Sequence, residues 1–255
     1  MVSVGVDAGS RAIKIVLLDT GSHEVVASGI VAQGVGCNDL ANDLLRDLME
    51  RSGLEPGDVT RVVATGYARN MIDFADTTVT EITCHARGVH RVAPDAATVV
   101  EIGGQDSKLL RLGPGGSVRD FSMNDRCAAG TGRFLEVVAD RLGVALDGLG
   151  PMAARSQSPA SISSTCIVFA ETEIIGLLST GTSPDDIVAG VQNSIAIRIA
   201  AMAGRGVAAP VVFTGGVAIV PGMDRALESA LGCPVSIAPN PQFTGALGAA
   251  IIAAG

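Results

Sequence analysis

Residues 3–19 read S-V-G-V-D-A-G-S-R-A-I-K-I-V-L-L-D, which is the pattern of a strand, a glycine turn and a second strand. Asp7 ends the first strand, Gly9 and Ser10 form the turn, and Lys14 follows on the second strand. Such a turn presents backbone N–H groups that can hold a phosphate, and Lys14 is placed to reach the same anion. Asp7 is placed to hold Mg²⁺ through water. The alternative is an ordinary hairpin with a solvated aspartate, and this short motif alone leaves both open.

A second stretch repeats the pattern. Residues 98–112 read T-V-V-E-I-G-G-Q-D-S-K-L-L-R-L, with an acid in the strand, a glycine turn, a serine and a lysine. This weak internal repeat indicates two related halves that face one another. Glu101 would then be the partner of Asp7 across the metal, and Gly103, Gly104 and Gln105 would form a second phosphate loop. Two such hairpins in one chain make an ordinary hairpin a poorer explanation for each.

Two cysteines each precede a predicted helix. In residues 122–142, S-M-N-D-R-C-A-A-G-T-G-R-F-L-E-V-V-A-D-R-L, Cys127 lies in a small-residue turn and apolar residues then recur at helical spacing. In residues 161–178, S-I-S-S-T-C-I-V-F-A-E-T-E-I-I-G-L-L, Cys166 follows a Ser/Thr cluster of the N-cap type. The free N–H groups and the positive dipole end of a helix favour a thiolate at such a position.

Two thiolates per chain are half of what an iron–sulfur cluster usually takes, so two chains would complete the set. The alternative is that both cysteines are core residues. We assign Cys37 and Cys233 to packing or to chance. Cys84 is expected to face the core, and its neighbour His85 to lie at the surface or against a dimer partner.

Composition limits the class of protein. The chain has 255 residues, of which 47% are apolar, only 3% are aromatic and 32 are glycine, which favours an α/β protein with many tight turns. The net charge of −8 and the absence of a basic cluster argue against a nucleic-acid surface. No membrane span and no signal peptide are expected. Five scattered cysteines favour a cytoplasmic protein with free or metal-bound thiols.

The other segments complete an alternating pattern of helices and strands. Strands are predicted at residues 23–31, 61–65, 211–214 and 234–238, and helices at 39–51, 81–88, 183–203, 221–231 and 241–254. The connection from about 143 to 164 is rich in Gly, Pro and Ser and is expected to run over the surface. In T-G-G-V-A, the pair Gly215 and Gly216, followed by Val217, would let the backbone approach an adenosine closely.

Seven motifs together resemble the ATP-dependent activators of 2-hydroxyacyl-CoA dehydratases, a family that includes the ATPase subunits of benzoyl-CoA reductases. They are D-A-G-S-x-x-x-K, E-I-T-C-H-A-R-G, I-G-G-Q-D-S-K, M-N-D-R-C-A-A-G-T-G-R-F-L-E, S-I-S-S-T-C, T-G-G-V-A and P-Q-F-T-G-A-L-G-A-A. The hairpins alone indicate only the wider actin/Hsp70/sugar-kinase superfamily, whereas the cysteine segments are far more specific.

The resemblance implies two duplicated ribonuclease-H-like domains with ATP in the cleft between them. The first would span residues 1–95, joined by the last helix at about 241–255, and the second residues 96–240. It also implies a homodimer with one bridging 4Fe–4S cluster, since Cys127 and Cys166 match the family's ligand positions. Gln105 or Asp106 would position the attacking water, as in other ATPases of the superfamily.

The implied activity is reductive activation. A flavodoxin or ferredoxin would reduce the cluster, and ATP hydrolysis would drive one low-potential electron to a partner 2-hydroxyacyl-CoA dehydratase. A benzoyl-CoA reductase or a double-cubane-cluster reductase is the alternative partner. More remote alternatives are a sugar or acyl kinase and a polymer-forming nucleotide-binding protein. Two positions depart from the family pattern: Glu101 stands where aspartate is usual, and Ala68 where glycine is usual.

Overall fold

The computed structural model describes residues 1–164, 166–204 and 206–255. Within these residues the strands are β1 (Val2–Ala8), β2 (Ala12–Asp19), β3 (Val25–Ala32), β4 (Val59–Thr65), β5 (Thr77–Thr78), β6 (Thr98–Ile102), β7 (Ser107–Leu112), β8 (Val118–Asn124), β9 (Val211–Thr214) and β10 (Val235–Ile237). The helices are α1 (Cys37–Arg51), α2 (Glu81–Val92), α3 (Gly132–Leu142), α4 (Leu149–Arg155), α5 (Ile167–Ser179), α6 (Pro184–Ala203), α7 (Met223–Leu231) and α8 (Thr244–Ala254).

The chain divides into two compact units. The first unit consists of residues 1–95, 112–119 and 238–255, and the second of residues 96–111 and 120–237. The segment 112–119 falls in the first unit, whereas the sequence placed it in the second domain. Its contacts explain this, because Arg87 of α2 donates a hydrogen bond to the carbonyl of Gly115 at 3.1 Å.

Each unit is built on a five-stranded sheet, and the two sheets have the same topology. The strand orders are β3-β2-β1-β4-β5 and β8-β7-β6-β9-β10. In each sheet the central strand, β1 or β6, pairs antiparallel with the next strand in the chain and parallel with a later one. The repeat predicted from the two hairpins is therefore confirmed at the level of whole sheets, as is the α/β fold class.

The core of the first unit depends on close contact between backbones. Every residue of β1 is buried, and α8 packs on β1 and α2. A Cβ on Gly5 would overlap the carbonyl of Ala246, and one on Gly88 would overlap that of Thr244. A Cβ on Gly248 of α8 would in turn overlap the carbonyl of Cys84, so small residues are required on both sides of this contact.

The core of the second unit gathers around α6. Phe134 of α3, Leu149 of α4 and Phe213 of β9 are fully buried in one apolar cluster with buried residues of α6. Ser183 caps α6, since its Oγ accepts a hydrogen bond from the Asp185 N–H at 3.2 Å.

One expectation about the second unit is wrong. The segment from about 143 to 164 is not only a surface connection, because it contains α4, whose Leu149 is fully buried. Gly150 of α4 packs directly on Pro221. Two further elements, β5 and β8, were not predicted. In the part of the chain that the structure describes, no helix combines the length and apolar character needed to cross a membrane.

Candidate functional site

The first predicted hairpin places a buried carboxylate against a lysine. Asp7 on β1 and Lys14 on β2 are cross-strand partners, and Lys14 Nζ lies 3.2 Å from Asp7 Oδ2. The Asp7 side chain is 8% exposed and that of Lys14 is 16% exposed. The ion pair places a cation against the carboxylate at the end of a buried strand, and carboxylate oxygens are the ligands that Mg²⁺ prefers.

Glycines keep the space around Asp7 open. A Cβ on Gly9 would lie 3.1 Å from Lys14 Nζ, and one on Gly66 would lie 2.7 Å from Asp7 Oδ1. Gly66 has a φ of 95°, which side chains with a Cβ rarely adopt. Gly9 and Ser10 are half-exposed at the turn, where they were predicted.

His85 also belongs to this site, which corrects the expectation that it lies at the surface. It is 5% exposed, and its Nδ1 is 3.0 Å from Thr244 Oγ1 on α8. A Cβ on Gly245 would lie 3.2 Å from His85 Nε2 and 3.3 Å from Asp7 Oδ2. The outer edge of the imidazole and the carboxylate of Asp7 therefore border the same small space.

Cys84, beside His85, is fully buried as predicted. Burial raises the pKa of its thiol to about 12, and the nearby carboxylates of Asp7 and Glu81 act in the same direction. A thiol with this pKa stays protonated at neutral pH and is a poor nucleophile there. Cys84 is a packing residue.

The second hairpin repeats the first at greater depth. Glu101 on β6 and Lys108 on β7 are cross-strand partners, with Lys108 Nζ 3.0 Å from Glu101 Oε2. Their side chains are 2% exposed for Lys108 and 5% exposed for Glu101. Lys108 also forms an ion pair with Asp106, whose side chain is 26% exposed. No role for Lys108 was predicted from the sequence, although the repeat of the Asp7–Lys14 spacing was visible.

Glycines again surround the acid. A Cβ on Gly103 would lie 3.3 Å from Glu101 Oε1, and one on Gly215, whose φ is 93°, would lie 2.7 Å from the same atom. Gly216 is exposed, and a Cβ added to it would meet open space, whereas Val217 is buried. Gln105 is exposed. The predicted residues Glu101, Gly103, Asp106 and Gly215 are thus brought together around one carboxylate.

The phosphate loop predicted at residues 103–105 is bonded to the start of α3. The N–H groups of Gly132 and Arg133 donate to the carbonyls of Gly103 and Gly104, respectively, each at 2.9 Å. Thr131 Oγ1 lies 3.0 Å from the carbonyl oxygen of Gly104 and 2.6 Å from that of Ala128. The first free N–H groups of α3 are therefore used by this loop.

This geometry corrects the prediction for Cys127. The residue does not directly precede α3 but begins a short 3₁₀ turn, Ala128–Gly130. Its position is held by Asn124, whose Nδ2 donates to the Cys127 carbonyl at 2.8 Å and whose Oδ1 accepts from the Cys127 N–H at 3.2 Å. The α3 dipole consequently cannot be invoked to favour a Cys127 thiolate.

Cys166 does precede its helix directly, as the N-cap residue of α5. The chain just before it is held by Glu173, which accepts hydrogen bonds from the N–H groups of Ser163 and Ser164, both at 2.9 Å. Burial alone would raise the pKa of Glu173, but these bonds outweigh it and lower the pKa to about 2.

Three properties of Cys127 and Cys166 are compatible with metal binding, and Cys233 shares all three. Both are partly exposed, neither is in a disulfide, and both belong to the second unit. Among the described residues no group of three or more His, Cys, Asp or Glu side chains could hold a metal ion. Two thiols of one chain would therefore have to be completed by ligands from elsewhere.

An open groove of about 760 Å³ lies on the second unit beside the T-G-G-V-A segment. Residues 218–222, Gln192 of α6 and Arg225 of α7 are among its walls. Gln192 is buried and donates from Nε2 to the Pro221 carbonyl at 3.0 Å, which fixes this turn. The groove is large enough for a nucleobase and ribose.

Comparison with known proteins adds three findings. The family model described as the BadF/BadG/BcrA/BcrD ATPase family matches residues 4–253. The activator of lactoyl-CoA dehydratase from Anaerotignum propionicum is 45% identical over 99% of this chain and 97% of its own. The solved activator of the 2-hydroxyisocaproyl-CoA dehydratase from Clostridium difficile, with bound ADPNP, is 43% identical, has a TM-score of 0.93, and is matched over 100% of this chain and 94% of its own.

A more distant structure shows how widely the fold is shared. A ROK family glucokinase from Streptomyces griseus, in complex with glucose and AMPPNP, has a TM-score of 0.60 at 14% identity, over 99% of both chains. At this identity the likeness concerns the fold alone. The fold is that of the actin and sugar-kinase class, as expected from the sequence.

Proposed function

Because the chain belongs to the BadF/BadG/BcrA/BcrD ATPase family, we propose that it is an ATP-hydrolysing activator that sends one low-potential electron to a 2-hydroxyacyl-CoA dehydratase. The observation that carries this proposal is that one compact unit holds both the loop 103–105 and the two partly exposed cysteines, Cys127 and Cys166. A kinase needs the first of these features but not the second. The activators named above support the same partner class.

The nucleotide part of the proposal rests on the two carboxylate–lysine pairs. Asp7 and Glu101 would hold Mg²⁺ through water, while Lys14 and the backbone of residues 9–10 and 103–105 bind phosphate. The N–H groups of Gly9 and Gly103 close their own hairpins, so those of Ser10, Gly104 and Gln105 would be the phosphate donors. Gln105 or Asp106 would position the attacking water. Gly215, Gly216 and Val217 would face the adenosine, with the neighbouring groove as the place for its base. Lys108 would supply the cation that the buried carboxylate of Glu101 needs.

The cluster part of the proposal rests on the two cysteines. A 4Fe–4S cluster bound by four thiolates would take Cys127 and Cys166 from each of two chains and would supply a one-electron redox centre. Homodimerisation is also supported by α5, where Val168, Phe169 and Ile175 are 64%, 68% and 48% exposed. Apolar side chains that face solvent on the helix that begins at Cys166 are typical of a surface that is covered in an assembly. A flavodoxin or ferredoxin would be the electron donor.

Thr131 offers a physical link between the proposed nucleotide site and the proposed cluster. Its hydroxyl lies between the carbonyl of Gly104 in the phosphate loop and that of Ala128, next to Cys127. A change of the loop on nucleotide binding would therefore reach the cysteine through one buried residue.

The function is tested by two sets of variants that should separate hydrolysis from cluster binding. We expect anaerobically purified wild-type protein to be brown and dimeric and to hydrolyse ATP. Asp7→Ala should lose hydrolysis by about 100-fold or more and keep its iron. Cys127→Ser and Cys166→Ser should lose the iron and dimerise more weakly, yet retain part of the ATPase activity.

The matched control is Cys233→Ser, because Cys233 is also a partly exposed cysteine of the second unit. This variant, and Cys37→Ser, should keep the brown colour. A Cys127→Ser dimer with full iron, measured by iron content and by the absorbance band typical of such clusters, would contradict the assignment. Transfer of phosphate from ATP to a sugar or acyl acceptor would favour the kinase alternative instead.

A further inference from the structure

Arg198 of α6 contacts both segments that carry the cysteines. Its Nη2 donates to the Ser164 carbonyl at 2.9 Å, two residues before Cys166. Its aliphatic part lies against the turn after Cys127, since a Cβ on Gly130 would be 3.5 Å from Arg198 Cδ and 3.4 Å from Asn124 Nδ2. Asn124 is the residue that holds the Cys127 backbone. One side chain thus joins two segments that lie far apart in the chain.

The charge of Arg198 has no compensating partner within the described residues. It forms no ion pair there, and its Nε is buried without a hydrogen-bond acceptor. A guanidinium keeps its proton at any physiological pH, so a partly buried one needs a nearby anion. Cysteine thiolates that bind iron are anions, and both predicted thiolates stand on the segments that Arg198 contacts.

We propose that Arg198 is a positioning residue for the cluster: it fixes the two cysteine segments relative to each other and places a positive charge next to their thiolates. The proposal rests on the function proposed above, because it assumes that Cys127 and Cys166 bind iron. A positive charge at this place stabilises the reduced form, which carries one more negative charge than the oxidised form. Arg198 would therefore raise the reduction potential of the cluster as well as its affinity.

Two variants, Arg198→Lys and Arg198→Gln, separate the effect of the positive charge from the effect of fixing the two cysteine segments. Lysine keeps the charge but loses the planar group that reaches Ser164, whereas glutamine loses the charge. The matched control is Arg141→Gln, because Arg141 of α3 forms a largely exposed ion pair with Glu171 of α5 and so joins the two helices that follow the cysteine segments. Loss of an exposed pair of this kind has little effect.

The first measurement uses protein without iron. Amide hydrogen exchange at residues 124–130 and 161–164 should become faster in both Arg198 variants and stay unchanged in Arg141→Gln. The second uses reconstituted protein, in which iron affinity should fall about 10- to 100-fold in both Arg198 variants. The third is the midpoint potential of the iron that remains bound, which should be more negative in Arg198→Gln than in Arg198→Lys.

Each measurement tests a separate part of the proposal. Unchanged exchange in Arg198→Gln, or a potential equal in the two variants, would overturn the corresponding role of Arg198. A wild-type protein that binds no iron would overturn the cluster itself, while the exchange experiment would still report whether Arg198 fixes the two segments. A melting temperature close to that of the wild type shows that a variant is folded. If Arg198→Gln is not folded, Arg198→Lys is used for the exchange and iron-affinity measurements.

Discussion

Lys14 and Lys108 occupy the same position in two equivalent sheets. Each stands on the second strand of its sheet, directly opposite the carboxylate at the end of the first, at 3.2 Å from Asp7 and 3.0 Å from Glu101. Each carboxylate also has a threonine beside it on the parallel strand, Thr65 or Thr214, followed by a glycine of positive φ. The two sites differ mainly in depth, since Lys14 is 16% exposed and Lys108 only 2%.

This difference in depth predicts unequal costs of removing the lysines. Lys108→Met should lower the free energy of unfolding by about 3–5 kcal/mol, because it leaves the buried Glu101 without its cation. Lys14→Met should cost less, about 1–3 kcal/mol, since water reaches that site. Circular dichroism during urea unfolding measures both, as the chain has no tryptophan. The double variant Glu101→Leu/Lys108→Met should recover most of the loss; equal costs at the two sites would contradict this account.

His85 should act on the metal through its outer nitrogen. Glutamine in its place can present a nitrogen near the Nε2 position, whereas asparagine can only replace Nδ1 and its contact with Thr244. We expect His85→Asn to raise the Mg²⁺ concentration needed for half-maximal ATP hydrolysis about tenfold, because it removes the nitrogen that borders the same space as the Asp7 carboxylate, and His85→Gln to stay near the wild type. Mn²⁺ binding in the presence of ADP, followed by electron paramagnetic resonance, should change in parallel.

The control for this pair is His23→Asn, since His23 is exposed on a turn that already has a positive φ. A His85→Asn variant with normal metal dependence would limit His85 to a packing role.

Thr131 should carry the effect of nucleotide to Cys127. Thr131→Val keeps the shape of the side chain but removes the hydroxyl between the Gly104 and Ala128 carbonyls, at a cost of about 1–2 kcal/mol in stability. We expect ADP with Mg²⁺ to slow amide exchange at residues 124–130 in the wild type and in Thr131→Ser, and to have a much smaller effect in Thr131→Val. The same response in all three proteins would place the coupling elsewhere.

The clamp that Glu173 forms on the segment before Cys166 should depend on pH. Its pKa is lowered from 4.5 to about 2, so the clamp stabilises the fold fully above pH 4.5 and is lost as the pH falls toward 2. Glu173→Gln should therefore be less stable than the wild type at neutral pH, by about 1 kcal/mol given solvent screening. The two proteins should converge in acid. A stability difference that persists unchanged down to the lowered pKa of about 2 would show that the carboxylate charge is not its cause.

The sequence predicted those elements whose signals are local. Alternating apolar residues identified β1 and β2, and long helical periodicity with a Ser-Pro start identified α6. Helix α4 was missed because it is only seven residues long and contains Gly150 and Pro151, so that it shows no sustained periodicity. Its helical form depends on burial of Leu149 by the rest of the unit.

Within the site, too, residues with a local sequence signal were predictable, and contacts between distant segments were not. Asp7 and Glu101 were identifiable from the repeated spacing, and Cys127 and Cys166 from their small-residue surroundings. The wrong placement of His85 followed from judging it by its neighbour Cys84, whereas its environment is set by Thr244, 159 residues away. Likewise, the use of the first α3 N–H groups by Gly103 and Gly104, and the contacts of Arg198, join segments that no local pattern connects. The roles of the site residues stay predictions.

The contact of α8 with Gly5 and Gly88 has a consequence for biosynthesis. Helix α8 completes the core of the first unit, yet the ribosome makes it only after the whole second unit has been translated. Although domains usually fold from the N-terminus onward during synthesis, we expect the second unit to become protease-resistant first. Until α8 emerges, the face of β1 that carries Gly5 has no helix packed on it and is a target for chaperones. Proteolysis of nascent chains stalled just before α8 should cut the segment before residue 95 and spare the segment after residue 120.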